Sequence, residues 1–245
     1  WDSFFVLYNP YEIIFIYDII KIWEEIKKEW KWLTNTIYIV RHGQTEWNIL
    51  GKTQGHGDSN LTAKGREQAE LLAESMTKYP IDYIYSSDLG RAYQTAEIIG
   101  NKLNIEIEKT EALREMNFGT WEGRVIKDIM EEDPDLYRRW RNEPHLAQIP
   151  QGETLYQIKE RTDAFIKEIN EKYDGKHIVL VTHSLCARIM LLSFLDSSVQ
   201  NIYRINQGNT ALNIIELRDY GPVVMKMNDT THIINDKKIE NSALE

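Results

Sequence analysis

Short runs of consecutive apolar residues alternate along the chain with longer segments whose apolar residues recur at helical spacing. The run Thr36–Val40 (TIYIV) is rich in β-branched residues, and the run at 178–181 (IVLV) has the same character. Such runs are typical of strands that are buried on both faces of a parallel sheet. Between them, residues 62–79 place apolar residues three and four positions apart, which predicts a helix with Thr62 as its N-cap. This alternation predicts an α/β fold.

The rest of the pattern extends this architecture. Residues 116–173 are richer in charge and proline, and they predict a helical cap inserted over the sheet. We therefore expect a three-layer α/β/α sandwich around a mainly parallel sheet. The domain is expected to span residues 36–235 and to precede a polar, flexible tail at 236–245. The other predicted elements are strands at 81–85 and 105–108, a helix ending near Ile99, a helix at 185–195, and a closing antiparallel pair at 211–217 and 223–227.

The first 35 residues differ from the remainder. Residues 1–35 contain no glycine, and apolar residues at three- and four-residue steps predict a helix over Tyr11–Trp32. This segment could be a native helix docked on the domain, an interfacial amphipathic helix, or no part of the native protein. In the third case translation would start near Leu33, because no methionine precedes Met76. We favour the third interpretation over the docked helix, and both over membrane binding.

The composition restricts the classes of function. The chain of 245 residues carries a net charge of −9, which argues against wholesale binding to nucleic acid or anionic membrane. An acidic chain binds an anionic substrate only where basic groups are concentrated in one pocket. Cys186 is the only cysteine, which excludes an intrachain disulfide framework and makes a reducing cytoplasm the expected location. The apolar stretch at 13–20 is interrupted by Asp18 and is too short to span a bilayer.

Two of the predicted buried strands lead directly into a histidine. The first runs into Arg41–Gly43 (RHG) and the other into Thr182–Ser184 (THS). Because ligands bind outside the carboxyl ends of parallel strands, we expect both histidines to face one crevice. A lone histidine after a strand is usually a packed or surface residue, but two such histidines indicate an assembled site. Arg91 falls in the first turn of a predicted helix, which suits either an exposed arginine or one that shares the helix terminus with an anion.

Six sequence blocks resemble one known protein family. A single Arg-His-Gly would be weak evidence, but six blocks in the same order are specific. On these blocks the chain resembles the histidine phosphatase, or phosphoglycerate mutase-like, superfamily over nearly all of residues 36–235. The blocks are Ile39–Asn48 (IVRHGQTEWN), Gln54–Gly55 with Leu61–Gly65 (LTAKG), Ser86–Ala96 (SSDLGRAYQTA), Leu113–Gly123 (LREMNFGTWEG), Gly152–Thr154 and Val181–Ser184.

The resemblance implies a role for each polar residue of these blocks. His42 would attack phosphorus through a neutral ring nitrogen and form a covalent phosphohistidine. Arg41 and Arg91 would hold the phosphoryl oxygens with their planar guanidinium groups, and His183 would add a cationic or donor contact. Together they would stabilise the charge that develops on the transferred phosphoryl group. Further hydrogen bonds to the phosphate would come from the amides of Asn48 and Gln54 and the backbone N–H of Ser184.

Glu115 is the candidate general acid of the family's Leu-Arg-Glu block. A leaving alkoxide needs a proton, and a carboxyl desolvated beneath a cap could supply it if its pKa is raised. The alternative is an ordinary surface glutamate, since other glutamates lie nearby in the sequence. The scheme requires no metal and no cofactor. The remaining histidines have no zinc-like spacing and are interpreted as surface or structural residues, namely His56, His145, His177 and His232.

The block after Glu115 favours the phosphatase branch of the superfamily. Phe118–Arg124 resembles broad-specificity and α-ribazole-phosphate phosphatases rather than the mutases, so hydrolysis of a small phosphorylated substrate is predicted. The basic cluster Arg138–Arg141 could contact the distal part of a substrate, but a solvated helix face is favoured. Three alternatives stay open: a cofactor-dependent phosphoglycerate mutase, a catalytically silent protein-binding member, and a phosphoprotein phosphatase. Tyr156 and Trp121 could line the leaving-group pocket, although core packing is the more common role for such residues.

Overall fold

The computed structural model describes residues 34–233. The strands are β1 (Thr36–Arg41), β2 (Tyr83–Ser87), β3 (Ile107–Thr110), β4 (His177–Thr182), β5 (Leu212–Arg218) and β6 (Gly221–Asp229). The α-helices are α1 (Glu46–Ile49), α2 (Ala63–Met76), α3 (Gly90–Leu103), α4 (Ile126–Glu132), α5 (Pro134–Asn142), α6 (Leu155–Lys172) and α7 (Ser184–Phe194). Short 3₁₀ turns lie at Glu111–Leu113, Gly119–Trp121, Pro144–Leu146 and Val199–Arg204.

The strands form one sheet in the order β3-β2-β4-β1-β5-β6. The pairs β3–β2, β2–β4 and β4–β1 are parallel, whereas β5 pairs antiparallel with both β1 and β6. Arg41 at the end of β1 is opposite Thr182 at the end of β4, so these two strands end side by side. The predicted mainly parallel sheet with a closing antiparallel pair is confirmed.

Both faces of the apolar strands are buried, so their side chains are apolar at consecutive positions. Ile37 and Ile39 of β1 pack in one core, and Tyr38 and Val40 of the same strand pack in the other. Helices α2 and α3 cover one face, and α6 and α7 cover the opposite face. The predicted three-layer sandwich is therefore the observed fold.

The helix boundaries follow from local capping. The side chain of Thr62 accepts a hydrogen bond from the backbone N–H of Gly65, as expected of an N-cap. Helix α3 ends where Asn104 adopts a left-handed conformation with φ of 56°. Strand β2 begins two residues later than predicted, because Ile81 lies in a turn and its side chain packs against the core beside the strand.

The interval 116–173, predicted as a cap, includes a helix that belongs to the sandwich. The ring of Phe165 on α6 lies edge-on to Tyr85 of β2, with ring centroids 5.4 Å apart. Tyr173, just beyond α6, stacks on Tyr83 at 4.2 Å. The many charged residues of α6 lie on its outer face, while its buried stripe faces the sheet. Only the shorter helices α4 and α5 remain as additions to the sandwich.

The residue just before the predicted boundary at residue 36 already belongs to the packed structure. Asn35 is fully buried, and its side chain bonds to Asn170, to the carbonyl oxygen of Tyr173 and to the backbone N–H of Lys176. The predicted helix at 11–32 and the predicted tail at 236–245 lie outside the described residues. Within residues 34–233, no helix is long and apolar enough to cross a membrane.

Candidate active site

Three adjacent strands bring the two predicted site histidines and a serine to one edge of the sheet. His42 follows β1 and His183 follows β4, and their ring centroids lie 5.2 Å apart. Ser87 ends β2, on the other side of β4, and its hydroxyl lies 2.8 Å from Nε2 of His183. All three residues are buried. The expectation that both histidines face one crevice at the carboxyl edge is met.

His42 is held in the tautomer that a nucleophile requires. Its Nδ1 lies 2.7 Å from the carbonyl oxygen of Gly43, which can only accept a hydrogen bond, so Nδ1 carries the proton. The lone pair is therefore on Nε2. Burial lowers the pKa of His42 well below its usual value, and the nearby guanidinium groups of Arg91 and Arg41 lower it further. A neutral imidazole at neutral pH follows from both effects.

His183 is also neutral in the ligand-free site. Burial lowers its pKa well below the usual value, with Arg91 and His42 adding to the effect. Its Nδ1 is buried and has no hydrogen-bond partner among the described residues. When the Ser87 hydroxyl donates to Nε2, Nδ1 carries the proton and can donate to a phosphoryl oxygen. Of the two contacts predicted for His183, the donor contact fits this geometry.

Arg41 lies behind His42 and is buried. Its Nη1 donates to the carbonyl oxygen of Gln207 at 2.6 Å. Gln207 is held in turn by the side chain of Asn213. Burial lowers the pKa of Arg41 to about 9, and the neighbouring cation Arg188 contributes in the same direction. A low-dielectric pocket that already holds several cations has a strong preference for an anion.

Arg91 is buried at the start of α3, and the anion at that helix terminus is a protein carboxylate. Asp58 accepts hydrogen bonds from the backbone N–H groups of Gly90 and Arg91 and from Nη1 of Arg91. Of the two alternatives from the sequence, the exposed arginine is wrong, and an arginine that shares the helix terminus with an anion is observed, with Asp58 as the anion. The Nε–H of Arg91 has no partner within the described part of the chain and remains for a phosphoryl oxygen.

The loop at 55–57 fixes the rest of the Arg91 guanidinium. Nη2 donates to the carbonyl oxygen of Gly55 at 2.7 Å, and Nη1 donates to that of Gly57 at 2.9 Å. On its other side the loop donates to the carboxylate of Glu122, through the N–H groups of His56 and Gly57. Gly55 has φ of 58°, and a Cβ there would lie 2.1 Å from Oε1 of Glu122, so another residue would be strained and would displace the Glu122 carboxylate.

Glu115 is buried at the N-terminus of α7. Oε1 accepts hydrogen bonds from the backbone N–H groups of Met116 and Cys186, and Oε2 accepts one from Leu185. A carboxylate offers about four lone-pair positions, so one on Oε2 remains open. The interpretation of Glu115 as a surface glutamate is therefore wrong, since its side chain is built into the site.

A partly buried arginine holds the backbone that carries Glu115. Arg161 on α6 donates from Nη1 to the carbonyl oxygen of Ala112, and from Nη2 to those of Arg114 and Glu115. Its Nε lies 3.3 Å from Oε1 of Glu153. Arg161 lies between sequence blocks, and no local pattern distinguishes it from the other charged residues of its helix.

The predicted substrate-binding residues lie in different environments. Gln54 is buried, and its Nε2 has no partner within residues 34–233. This amide group could therefore donate a hydrogen bond to a phosphoryl oxygen. The hydroxyl of Ser184 is likewise buried without a partner there. Asn48 forms a capping box with Thr45, in which Oδ1 accepts from the backbone N–H of Thr45. The amide of Asn48 is thereby held in one orientation.

Other candidates from the sequence take structural positions. Trp121 is fully buried in the main core, and Tyr156 is 54% exposed. Arg138 is exposed and pairs with Asp135 one turn earlier, as expected of a solvated helix face. Arg141 instead lies over the ring of Tyr203 at 4.2 Å. Within the described residues, no group of three or more His, Cys, Asp or Glu side chains could hold a metal ion.

Comparison with known proteins identifies the family. The family model described as "Histidine phosphatase superfamily (branch 1)" matches residues 37–230. The chain is 32% identical to "Phosphoserine phosphatase 1" of Hydrogenobacter thermophilus, over 80% of this chain and 93% of that protein. It is also 32% identical to "Probable phosphoglycerate mutase GpmB" of Escherichia coli O1:K1, over 80% of this chain and 94% of that protein.

Solved structures agree with this assignment. The α-ribazole phosphatase of Shigella flexneri superposes with a TM-score of 0.74 at 26% identity, over 80% of this chain and 96% of that one. The strand ends that carry Arg41, His42 and His183 all lie inside the matched family region. The chain belongs to the histidine phosphatase superfamily, branch 1.

Proposed function

We propose that the protein is a phosphohydrolase that cleaves small phosphate monoesters through a phosphohistidine intermediate on His42. The tautomer of His42 carries the proposal, because it leaves the Nε2 lone pair available in a buried, cation-lined pocket. Arg41, Arg91 and His183 lie near the His42 ring, and each has the chemistry to bind a phosphoryl oxygen.

In the first step, the lone pair on Nε2 of His42 attacks phosphorus and a new N–P bond forms. The bond between phosphorus and the ester oxygen breaks, and its electron pair leaves with that oxygen. A proton on the open position of Oε2 of Glu115 passes to the oxygen, so that an alcohol departs. The cationic groups stabilise the equatorial oxygens throughout, which is the main contribution that a protein makes to phosphoryl transfer.

In the second step, water attacks the phosphohistidine and gives its proton to the Glu115 carboxylate. The N–P bond breaks, its electron pair returns to Nε2, and inorganic phosphate leaves. The same carboxyl group thus serves as acid and then as base. The three backbone N–H groups that bind Glu115 hold its carboxyl group in one position for both steps.

Hydrolysis is favoured over mutase activity by the Phe118–Arg124 block and by similarity to phosphatases. Similarity to a protein named as a phosphoglycerate mutase keeps phosphoryl transfer between substrates as a second candidate. The complete set of catalytic residues argues against a silent binding protein. A cytoplasmic location remains a prediction from the single cysteine.

The test is release of inorganic phosphate from a panel of monoesters in the presence of EDTA. The panel contains 3-phosphoglycerate, α-ribazole phosphate, sugar phosphates, p-nitrophenyl phosphate and a phosphotyrosine peptide, with His42→Ala as control. We expect release that EDTA does not reduce and that His42→Ala abolishes. Conversion of 3- to 2-phosphoglycerate on addition of the bisphosphate, without net release, would instead identify a mutase. Release that survives in His42→Ala would contradict the proposal.

A further inference from the structure

In addition to Arg41 and Arg91, a third arginine is buried near Glu115, and two of its donor groups are unused. Arg188 lies on α7 and is 4% exposed. Its Nε and Nη1 are buried and have no hydrogen-bond partner among residues 34–233. Buried donors of a charged group are nearly always paired in native proteins, because an unpaired one loses its hydration without compensation. Arg188 is therefore a candidate for binding a ligand that the free protein lacks.

The position of Arg188 on α7 directs it toward the catalytic pocket. Side chains on a helix tilt toward its N-terminus, and residues four apart lie on one face. The residue one turn earlier is Ser184, whose hydroxyl is also buried and without a partner in the described structure. The N-terminus of α7 is where Leu185 and Cys186 bind the carboxylate of Glu115. The two unused groups thus share the helix face that leads to the general acid.

The electrostatic neighbours of Arg188 agree with this placement. Burial lowers the pKa of Arg188 to about 10, and the negative charge of Glu115 is the largest opposing influence. Arg188 in turn lowers the pKa of Arg41. Arg141, which lies over the ring of Tyr203, is a further cation acting on Arg188. Arg188 thus adds positive charge close to Glu115 and Arg41.

The two-step reaction assigns this side of the pocket to the leaving group. Glu115 must lie next to the ester oxygen that it protonates, so a substituent on that oxygen extends past Glu115. We propose that Arg188, with the hydroxyl of Ser184, binds a carboxylate on the leaving group, and that the preferred substrates are phosphate monoesters of hydroxy acids. One guanidinium and one hydroxyl balance a single negative charge, which fits a carboxylate better than a second phosphate dianion. This inference rests on the proposed phosphatase function.

The experiment compares two substrates that differ only in the carboxylate, 3-phosphoglycerate and glycerol 1-phosphate. We expect the native protein to prefer 3-phosphoglycerate at least about tenfold in kcat/KM. Arg188→Gln should lower that preference by about ten- to hundredfold, the loss expected for charge-assisted hydrogen bonds. Arg188→Lys should restore part of it, because lysine keeps the charge but not the planar donors. The matched control is Arg138→Gln, an exposed arginine on α5, which should keep the native preference.

The outcomes separate the inference from the proposed function. Phosphate release that depends on His42, with equal kcat/KM for the two substrates in the native protein, would overturn the carboxylate site alone. Equal losses on both substrates in Arg188→Gln would also overturn it, because Arg188 would then act through Glu115 or the fold. A circular dichroism spectrum and thermal midpoint close to native show that a variant is folded. Failure to release phosphate from any substrate would instead overturn the phosphatase proposal.

Discussion

The carboxylate of Glu122 and the guanidinium of Arg91 bind opposite sides of the same short loop. Glu122 accepts hydrogen bonds from the N–H groups of His56 and Gly57, and Arg91 donates to the carbonyl oxygens of Gly55 and Gly57. A third bond to Glu122 comes from the N–H of Phe118. A residue that touches no substrate in the proposed mechanism therefore fixes the orientation of one that does.

Replacing Glu122 by Gln should displace this loop. The amide supplies one oxygen where the carboxylate supplies two, and its NH₂ faces a backbone donor. We expect kcat/KM for p-nitrophenyl phosphate to fall about tenfold or more, and binding of vanadate to weaken in parallel, because Arg91 loses its fixed orientation. Glu74→Gln, at an exposed ion pair with Lys102, is the matched control. Unchanged vanadate binding in Glu122→Gln would show that the loop does not position Arg91.

Replacing Arg161 by Gln should act through Glu115. Three carbonyl oxygens of the segment 112–115 would lose their donor, so the carboxyl group should move away from the ester oxygen. Substrates with poor leaving groups need the proton, whereas p-nitrophenyl phosphate hardly does. We expect the loss on an alkyl phosphate to exceed the loss on p-nitrophenyl phosphate by about tenfold, as for Glu115→Gln.

The control for Arg161 is Lys167→Gln on the same helix, where the side chain is 76% exposed. It should leave both substrates at native rates. A purely structural role for Arg161 would lower turnover of the two substrates equally, and that result would contradict the positioning role.

Three histidines whose pKa values are lowered should make the fold sensitive to mild acid. The pKa of His232 is lowered to about 4 by burial, and those of His42 and His183 lie well below the usual value. Below pH about 6.5 the unfolded chain binds protons that the native state does not. The free energy of unfolding should therefore rise with pH in this window and fall on acidification, by up to about 1.4 kcal/mol per pH unit for each histidine.

Urea unfolding at pH 7 and pH 5 measures this effect. His232→Asn removes one titrating group, whose Nε2 lies 3.0 Å from the hydroxyl oxygen of Thr210. We expect the loss of stability between the two pH values to be smaller in this variant than in the native protein. An identical loss would show that His232 does not contribute to the acid sensitivity.

The sandwich and the meeting of His42 and His183 at one sheet edge could be predicted from sequence, because local pattern indicates both. β1 and β4 are apolar on both faces, and each leads directly into a histidine at its carboxyl end. Helix α6 was predicted as part of the cap because it is rich in charged residues. Its buried residues, from Leu155 to Ile169, lie on one face and pack against the sheet.

The supporting residues could not be predicted because their partners are distant in the chain. Asp58 caps a helix that begins 32 residues later, and Arg161 binds carbonyl groups 46 to 49 residues earlier. In the sequence, nothing distinguishes Glu122 from the other glutamates nearby. Its role follows only from its hydrogen bonds to the loop at 55–57. Such contacts depend on tertiary packing and leave no periodic signal in the sequence.

The most direct test of the phosphohistidine intermediate is covalent labelling of His42. The protein is mixed with a ³²P-labelled monoester, denatured in alkali within one turnover, and digested, so that the labelled peptide can be sequenced. We predict label on the peptide containing His42, stable to alkali and released by acid, as expected of an N–P bond. Label elsewhere, or hydrolysis that persists in His42→Ala with less than about a tenfold loss, would contradict the assignment of His42 as nucleophile.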